Sequence, residues 1–489
     1  MFGVWRTLTE TRNESERMKT EKIYGAPGTG KTTQLMNVVV DELKSGLSIE
    51  DISYMGFTKA ACTEALTRAE KVAVFPEKKR YWFKTIHATC LELLMKAGLG
   101  NERQIARWVD LKGFCEANGL EVPNLNDDNT LMGGQVSTGS AFFSTYSYLL
   151  NTFRSPEQFQ ECPHASTLSD LNYPELHKAW DEWKVRHKLM DFSDMLIETY
   201  GHKLTVPTTV LIVDEFQDIS PLQLALVRQF AEGKESVYVA GDDDQALYGF
   251  QGADPKLMLN FDANKVNVLG SSYRCPEEVW AQSMQLIEKN VNRQPKEVVS
   301  RGKGGRFSEI TTPRYFNHVM YDTHGSVFIL ARTNQLVGKI AWQLAFNGVL
   351  FRYLDGEKER VWGWSKKRVL AMNRILRARN SYYEFNRISQ QENWANGTQS
   401  FLRCYMRAGI TQVDPTTIKV KIGTIHSAKG READTVVIFN DLTARIVAGM
   451  EDDMEAERRV WYVAMTRARQ SVVWVDGFFR TGTSFQLGD

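Results

Sequence analysis

The stretch Gly25-Ala26-Pro27-Gly28-Thr29-Gly30-Lys31-Thr32 decides the fold of this 489-residue chain. It satisfies every fixed position of the phosphate-binding loop, a glycine-rich turn that closes on a Gly-Lys-Thr triplet. The apolar pair Ile23-Tyr24 precedes the turn, and apolar residues at helical density follow it from Leu35 to Val40. The local order is therefore strand, turn, helix, which predicts a pocket of backbone amides at a helix N-terminus that binds phosphate groups.

Three residues at the end of this loop have specific predicted roles. Lys31 is expected to reach the β- and γ-phosphates of a nucleotide, and the Thr32 hydroxyl is expected to bind Mg²⁺. Thr33 completes the set of predicted nucleotide contacts. The alternative is a plain glycine turn with a solvated lysine, and the flanking strand and helix patterns argue against it.

A second acidic feature follows the apolar run Val210–Val213. Such a continuous run is typical of a parallel strand buried on both faces, and it delivers Asp214 and Glu215 to the carboxyl end of the sheet. We assign Asp214 to Mg²⁺ and Glu215 to orienting and deprotonating water. The alternative, a charged strand end without chemistry, does not explain why the pair occurs together with a phosphate-binding loop.

Short apolar runs alternate with helical stretches along most of the chain, which predicts an α/β fold with parallel sheets flanked by helices. The predicted strands are Ile52–Phe57, Val210–Val213, Val237–Ala240, Val266–Leu269, Val327–Ala331, Thr435–Phe439 and Ser471–Val475.

Composition narrows the class of protein. A hydrophobic content of 43% over this length is ample for several cores, and a net charge of only +1 means that any nucleic-acid contact must come from local stripes. Six cysteines without Cys-x-x-Cys spacing suit reduced thiols, and no apolar run approaches the ~18 residues of a membrane span, so we expect a cytoplasmic protein. His87 and His426 lack ligand-spaced partners, so no metal other than Mg²⁺ is predicted.

A basic segment runs from Gly356 to Asn380, with eight Lys or Arg residues against two acids and with Trp362 and Trp364 among them. One interpretation is contact with duplex or junction DNA through phosphates and aromatic rings. The other is a solvated amphipathic helix whose inward face contains Val369, Met372 and Leu376. The sequence leaves both open.

From Val213-Asp214-Glu215-Phe216-Gln217-Asp218 outward, the chain resembles the UvrD/Rep/PcrA-like superfamily 1 DNA helicases. The resemblance extends over most of the chain in the family's order. The other matching motifs are Phe57-Thr58-Lys59-Ala60-Ala61, Thr85-Ile86-His87, Gly241 to Phe250, Tyr273-Arg274, Arg332-Thr333-Asn334, Thr424 to Gly430 and Tyr462 to Ala468.

For the nucleotide, the resemblance implies that Tyr273 stacks on adenine, Glu432 touches the sugar and Gln245 senses the γ-phosphate. It further implies that Arg274 and Arg467 stabilise the charge that develops during hydrolysis. Arg467 follows a helical pattern, which predicts that it projects from the apolar face of a helix. A structural salt bridge is the alternative for an arginine in that place.

For DNA, the resemblance implies base stacking on Phe57, Tyr248 and Phe250, although each aromatic considered alone is more typical of a core. The resemblance also implies hydrogen bonds to the DNA backbone from Thr58, Thr85, His87, Thr424 and His426. Two departures lie together: Phe250 replaces a tryptophan, and Gln251 stands where relatives usually carry an arginine.

The resemblance implies two RecA-like phosphate-loop domains with nucleotide in the cleft between them. We expect the first to combine residues 1–90 with 191–272 and the second to combine 273–355 with 420–489. The mainly helical block 91–190, with a polar break around Asn124–Ser140, and the shorter block 356–419 would be insertions.

The implied function is an ATP-dependent, Mg²⁺-requiring DNA helicase and single-strand translocase that moves 3′ to 5′. Its expected partners are single-stranded DNA, single/double-strand junctions and proteins of replication, repair or defence, in a bacterial or phage-infected cell. Two alternatives remain open. One is a translocase that strips protein from single strands with little unwinding, and the other is a DNA-sensing ATPase subunit that acts as a switch.

Overall fold

The computed structural model describes residues 18–71, 82–123, 136–302, 304–310, 325–354, 366–378, 381–391, 396–414, 417–479 and 483–488. These residues form two compact units. The first comprises the described residues up to Ser272 together with Asn292–Val299, and the second comprises Tyr273–Val291 and the described residues from Ser300 onward.

The strands are numbered in chain order. They are β1 Lys19–Gly25, β2 Ile52–Gly56, β3 Trp82–Thr85, β4 Gln104–Ile105, β5 Leu189–Met190, β6 Val210–Val213, β7 Ser236–Gly241, β8 Lys265–Leu269, β9 Ser271–Pro276, β10 Val299–Gly302, β11 Arg306–Ile310, β12 Val327–Ala331, β13 Phe351–Tyr353, β14 Val420–Thr424, β15 Ala433–Phe439 and β16 Ala468–Val475.

The α-helices are numbered in the same way. They are α1 Lys31–Lys44, α2 Lys59–Ala69, α3 Ile86–Lys96, α4 Trp108–Ala117, α5 Thr138–Asn151, α6 Tyr173–His187, α7 Phe192–Gly201, α8 Pro221–Ala231, α9 Pro255–Leu259, α10 Glu277–Ile287, α11 Asn334–Phe346, α12 Lys366–Arg377, α13 Ser381–Gln391, α14 Asn396–Arg407, α15 Ala444–Asp452 and α16 Met454–Met465.

The first unit is built on a six-stranded sheet of order β3-β2-β6-β7-β1-β8 in which every neighbouring pair is parallel. Its four central strands, β2, β6, β7 and β1, are buried on both faces because helices cover each side. Along β6, Leu211 and Val213 pack into one apolar cluster while Val210 and Ile212 pack into another. This alternation explains why the strand reads as a continuous apolar run.

A helical block lies between the third and sixth strands of the first unit. Helices α4, α5 and α6 enclose a core around Phe114, Phe142 and Trp180, and β4 pairs with β5. The buried Lys184 Nζ on α6 contacts Asp191 Oδ2 at 2.9 Å and Asp194 Oδ1 at 2.7 Å. These ion pairs join the block to α7. Within Asn124–Ser140, the predicted polar break, residues 124–135 lie outside the described residues, and α5 already begins at Thr138.

The second unit contains another parallel sheet of six strands, in the order β11-β16-β15-β12-β14-β13. Helix α12 packs against its core through Val369, Met372 and Leu376, the inward face that the amphipathic interpretation names. On the same helix Arg374 and Arg377 are exposed. Trp362 and Trp364 lie outside the described residues.

The predicted α/β class with parallel sheets is confirmed. All seven predicted strands are present, and their ends shift by no more than three residues. The domain boundaries stay a prediction. The apolar runs did not reveal β3, β11, β13 or β14, since these strands are short or carry polar residues at alternate positions.

Candidate functional site

The phosphate-binding loop connects β1 to α1. Gly28 and Gly30 adopt φ angles of 76° and 85°, a left-handed conformation that favours glycine. At Gly25 a Cβ atom would lie 2.5 Å from Oγ1 of Thr29, so this position has no room for a side chain. Gly30 caps α1 without a side-chain hydrogen bond, and the first turn of α1 contains no acidic residue. The first amides and the positive end of the helix dipole therefore favour an anion.

The loop and the end of β6 converge on one another. The Thr32 hydroxyl donates to Oδ2 of Asp214 at 3.4 Å, although the two residues are 182 positions apart. Lys31 Nζ donates to the carbonyl of Gly25 at 2.6 Å, which keeps the ammonium beside the loop. A hydroxyl and a carboxylate are the hard oxygen ligands that Mg²⁺ accepts alongside phosphate oxygens and water. The predicted metal ligands Thr32 and Asp214 are thus brought together and fit the ion.

Asp214 is held by a residue that the sequence analysis did not identify. The Tyr54 hydroxyl donates to Asp214 Oδ2 at 2.7 Å, and the Glu215 amide donates to Asp214 Oδ1 at 2.9 Å. Burial and the nearby Glu215 raise the pKa of Asp214 to about 6. Tyr54 lies opposite Ile212 where β2 pairs with β6. Only a known strand order would have pointed to it.

Glu215 has an unusual backbone. Its φ angle of 56° is left-handed, a conformation that costs a non-glycine residue energy and that occurs often at functional sites. Its Oε2 accepts a hydrogen bond from Gln217 Nε2 at 2.6 Å. This turn carries the carboxylate past the strand end and leaves it partly exposed, as a water-activating group requires.

The loop after β7 is linked to Glu215 by hydrogen bonds. Gln245 Nε2 donates to Asp242 Oδ2 at 2.7 Å, and the Asp242 amide donates to Gln217 Oε1 at 2.9 Å. Because Gln217 also binds Glu215, the predicted γ-phosphate sensor and the predicted water-activating acid belong to one network. Gln217 and Asp242 could not be assigned roles from the sequence, because the position of an amide or acid within a motif does not show which side chain it will bind.

A cavity of about 320 Å³ lies within the first unit. Its lining includes both predicted catalytic acids and predicted DNA contacts from three separate motifs: Asp214, Glu215, Phe57, Thr85, His87 and Phe250. Ser144, Ser147 and Asn151 of α5 contribute hydroxyl and amide groups from the helical block. The fold therefore collects residues from distant parts of the chain around one space.

The aromatic residues predicted to stack on bases contact each other. The rings of Phe57 and Tyr248 are stacked with centroids 4.8 Å apart and an angle of 23°, and Tyr248 lies 6.1 Å from the ring of Phe250. Burial raises the pKa of Tyr248 well above its usual value. One face of Phe57 and one face of Tyr248 are thus occupied by the partner ring.

The predicted hydroxyl contacts also act as helix caps. Thr58 accepts from the Ala61 amide at 3.2 Å at the start of α2, and Thr85 accepts from the Ala88 amide at 3.3 Å at the start of α3. Capping uses the oxygen as an acceptor, so the hydroxyl hydrogen can still donate to a phosphate. Desolvation lowers the pKa of His87 to about 4. Near neutral pH the His87 ring is therefore uncharged, and a contact from it to DNA would be a hydrogen bond.

The second unit contains the other predicted nucleotide contacts. Arg274 Nε donates to Glu432 Oε2 at 2.7 Å, so the predicted charge stabiliser and the predicted sugar contact are paired. Tyr273 is 72% exposed, as a stacking surface requires.

Arg467 differs from its prediction. Helix α16 ends at Met465, so Arg467 lies past the helix and does not project from its face. Its Nε donates to the Val463 carbonyl at 3.0 Å, one of the last carbonyls of the helix, which have no partner in the next turn. The side chain is buried, with 1% exposed. The helical pattern was extended too far because nothing in Thr466-Arg467-Ala468 breaks a helix.

The remaining predicted DNA contacts also lie in the second unit. Thr424 accepts from the Ser427 amide at 3.3 Å. His426 is buried, and burial together with Arg332 and Lys429 holds its pKa well below its usual value. His426 is therefore neutral at physiological pH.

Comparison with known families follows the same division of the chain. The UvrD/REP helicase N-terminal domain matches residues 9–265, which is more than half of the chain, and the UvrD-like helicase C-terminal domain matches residues 359–475. The chain belongs to the UvrD/Rep helicase family. The family predicted from the motifs is confirmed.

Individual UvrD/Rep relatives are similar at modest identity. The ATP-dependent DNA helicase PcrA of Staphylococcus epidermidis is 26% identical over 314 residues, which cover 60% of this chain and 42% of that protein. PcrA of Bacillus subtilis is 25% identical over 305 residues, which cover 58% of this chain and 39% of that protein. The chain therefore spans about two fifths of the length of these relatives. A solved chain described as the structure of PRRSV helicase aligns at 12% identity and a TM-score of 0.34, covering 97% of this chain and 56% of that one.

Two further features concern the described residues of this UvrD/Rep family member. They contain no group of three or more His, Cys, Asp or Glu side chains placed to hold a metal ion. A Mg²⁺ ion that is bound through one or two protein oxygens and through substrate phosphates does not need such a group. None of the described helices has the length and apolar character to cross a membrane.

Proposed function

We propose that this chain is an ATP-dependent DNA helicase and single-strand translocase that requires Mg²⁺. One observation carries the proposal. The cavity that contains Asp214 and Glu215 is also lined by Phe57, Thr85 and Phe250. Residues suited to phosphate chemistry and residues suited to binding bases therefore line one cavity. A conformational change in one set would alter the position of the other.

The chemistry is hydrolysis of the γ-phosphoryl group. Water attacks the γ-phosphorus, the bond to the β–γ bridging oxygen breaks, and Glu215 takes the proton from the attacking water. Amides of the phosphate-binding loop and Lys31 hold the phosphates, while Thr32 and Asp214 would hold Mg²⁺, which would neutralise phosphate charge. Arg274 and Arg467 would stabilise the charge on the transferred group.

The DNA contacts favour single strands without strong sequence preference. Aromatic rings stack on any base, and the hydroxyls and neutral histidines bind the backbone through hydrogen bonds. We propose movement from 3′ to 5′, as the family resemblance implies, in the cytoplasm and in the service of replication, repair or defence.

The exposed Arg374 and Arg377 support contact with the duplex side of a junction. They lie on the outer face of α12, while Val369 and Met372 of the same helix are buried. The two interpretations of the basic segment are compatible, because an amphipathic helix that packs inward presents its arginines outward to phosphates.

A second candidate is a translocase that displaces protein and unwinds little. The small size of the second insertion favours it, since the described part of this block consists of three short helices, α12, α13 and α14. An unwinding assay run beside a protein-displacement assay separates the two candidates.

The decisive experiment is ATP hydrolysis measured with no nucleic acid, with single-stranded DNA, with blunt duplex and with RNA. We expect strong stimulation by single-stranded DNA, and unwinding of a duplex with a 3′ single-stranded tail. Hydrolysis that is insensitive to every nucleic acid would contradict the proposal. Stimulation without unwinding, together with displacement of a bound protein, would favour the second candidate.

A further inference from the structure

Residues Asn292–Val299 take an unexpected path. This segment belongs to the first unit, yet the residues before it, Tyr273–Val291, and those after it, from Ser300 onward, belong to the second. The chain therefore leaves the first unit, returns for eight residues and leaves again. We call Asn292–Val299 the return segment.

The return segment is anchored by buried ion pairs. Lys296 Nζ lies 2.7 Å from Asp243 Oδ1, 2.8 Å from Asp244 Oδ2 and 3.2 Å from Asp242 Oδ1, and its side chain is 1% exposed. Arg293 holds Asp244 with two hydrogen bonds, Nε to Oδ1 at 2.9 Å and Nη2 to Oδ2 at 2.7 Å. The amide of Gln294 donates to Asp243 Oδ2 at 2.7 Å. Side chains or amides of the return segment thus contact all three aspartates of the Gly241–Phe250 motif.

One of these aspartates, Asp242, holds Gln245 in turn, and the Asp244 amide donates to Asp242 Oδ1 at 3.3 Å. Asp242 binds Lys296 through Oδ1 and Gln245 through Oδ2. The Asp242 amide also binds Gln217, which binds Glu215. A continuous chain of contacts therefore runs from the return segment through Asp242 to Gln245 and Glu215.

The three aspartates depend on the return segment for electrostatic reasons. Asp242, Asp243 and Asp244 are each at most 1% exposed and are consecutive in sequence. Adjacent carboxylates that are shielded from water repel one another, and a buried charge is tolerated only when it is paired. Lys296 and Arg293 bring two positive charges to this site. Without them three adjacent carboxyl groups would lose the cations that make their burial tolerable, so the position of Gln245 depends on both cations.

We propose that the return segment is a positioning element for the nucleotide-sensing loop, and that Arg293 and Lys296 are positioning residues for Gln245. This inference rests on the proposed function, because it makes the response of hydrolysis to DNA depend on these cations. The loop that they fix also carries Tyr248 and Phe250. If this loop becomes more mobile, DNA binding at Tyr248 and Phe250 is no longer coupled to the position of the proposed catalytic acids.

The test uses the full chain with three variants. Arg293→Gln removes the charge at the rim while an amide can still reach Asp244, and Lys296→Met removes the central cation at similar length. Lys234→Met is the matched control. Lys234 is a buried lysine of the same unit whose Nζ donates to the backbone carbonyls of Val206 and Thr208 and not to the aspartates.

Two quantities are measured: amide hydrogen exchange across residues 242–250, and kcat and KM for ATP with and without single-stranded DNA. In Arg293→Gln and Lys296→Met we expect faster exchange in this loop and a DNA-stimulated kcat that is lower by about tenfold, because small displacements of a catalytic group can cost ~100-fold. We expect KM to change by less than about threefold, since nucleotide binding relies on the phosphate-binding loop. Lys234→Met should match the wild type in both quantities.

Loop exchange and DNA-stimulated kcat that match Lys234→Met would overturn the inference. If Lys296→Met does not fold, the result for Arg293→Gln alone decides. If the wild type shows no DNA-stimulated hydrolysis, the proposed function fails, while the exchange measurement still decides whether the return segment holds the loop.

Discussion

The Tyr54 hydroxyl donates a 2.7 Å hydrogen bond to Asp214 Oδ2, the same oxygen that accepts from Thr32. Tyr54 is completely buried, and its ring stacks on Phe83 with centroids 5.6 Å apart and an angle of 8°. The hydroxyl therefore has a fixed position, and it fixes the carboxylate that would bind Mg²⁺. Partners of this kind orient metal ligands and commonly change metal affinity when they are removed.

Tyr54→Phe is expected to raise the Mg²⁺ concentration needed for half-maximal hydrolysis by about 10-fold, the lower end for loss of such a partner. The same variant should weaken binding of Mn²⁺ in the presence of ADP, measured by calorimetry without turnover. Tyr238→Phe is the control, because Tyr238 is 2% exposed and its hydroxyl donates to Glu42 Oε1 at 2.7 Å and not to Asp214. Equal metal affinity in both variants would show that Tyr54 only fills the core.

Glu215→Gln should lower DNA-stimulated hydrolysis by about 100-fold or more while ATP still binds, because loss of a general base removes ~10²–10⁴-fold. Lys31→Ala should weaken both binding and turnover, since we propose that Lys31 contacts the phosphates in the ground state as well. Turnover measured beside binding of a fluorescent nucleotide separates the two effects. Normal turnover in Glu215→Gln would remove this residue from the mechanism.

The stability of the protein should fall as the pH drops from about 6.5 to about 4, in part because of His87. Its pKa is lowered to about 4 in the folded state from 6.5, so in this window the unfolded chain binds a proton that the folded protein does not. By proton linkage, His87 contributes up to about 3 kcal/mol to the free energy of unfolding. This contribution is fully present above pH 6.5 and is lost as the pH falls towards 4. Denaturant unfolding of His87→Gln at several pH values should show a shallower loss. The exposed His202→Gln should retain the wild-type slope.

Phe250→Ala should weaken single-strand binding by about 1–3 kcal/mol with little dependence on base sequence, the usual scale for one stacked base. Fluorescence anisotropy with oligonucleotides of different composition measures this. Phe153→Ala is the control, since Phe153 is 56% exposed and does not line the cavity. Unchanged affinity in Phe250→Ala would assign Phe250 a packing role only.

Replacing Arg374 and Arg377 together by Ala should reduce the salt dependence of junction binding by up to about 1.8 in the slope of log K against log salt, because each phosphate contact contributes ~0.9. ATP hydrolysis on single strands should stay close to wild type. Arg387→Ala is the comparison variant, since Arg387 on α13 is already paired with Glu384. An unaltered slope in the double variant would leave α12 as a solvated helix without a DNA contact.

Features that depend on local spacing could be predicted from the sequence. The glycines at 28 and 30 and the acids that follow β6 are examples, because left-handed turns and strand ends have their own residue preferences. The contacts of Tyr54 and Lys296 could not be predicted. Tyr54 meets Asp214 only because β2 lies beside β6, and Lys296 meets the aspartates only because the chain returns to the first unit. Arg467 was misplaced because α16 ends without a glycine or proline to mark its end.

The left-handed backbone of Glu215 has a consequence for protein engineering. A strained non-glycine residue of this kind costs about 1–3 kcal/mol, and glycine would relieve most of that cost. Selection for heat resistance alone would therefore favour glycine at position 215, which removes the carboxylate that we propose as the water-activating group. Thermal stability and the proposed ATP hydrolysis therefore make opposite demands on residue 215. A screen for more stable variants has to select for stability and for hydrolysis together.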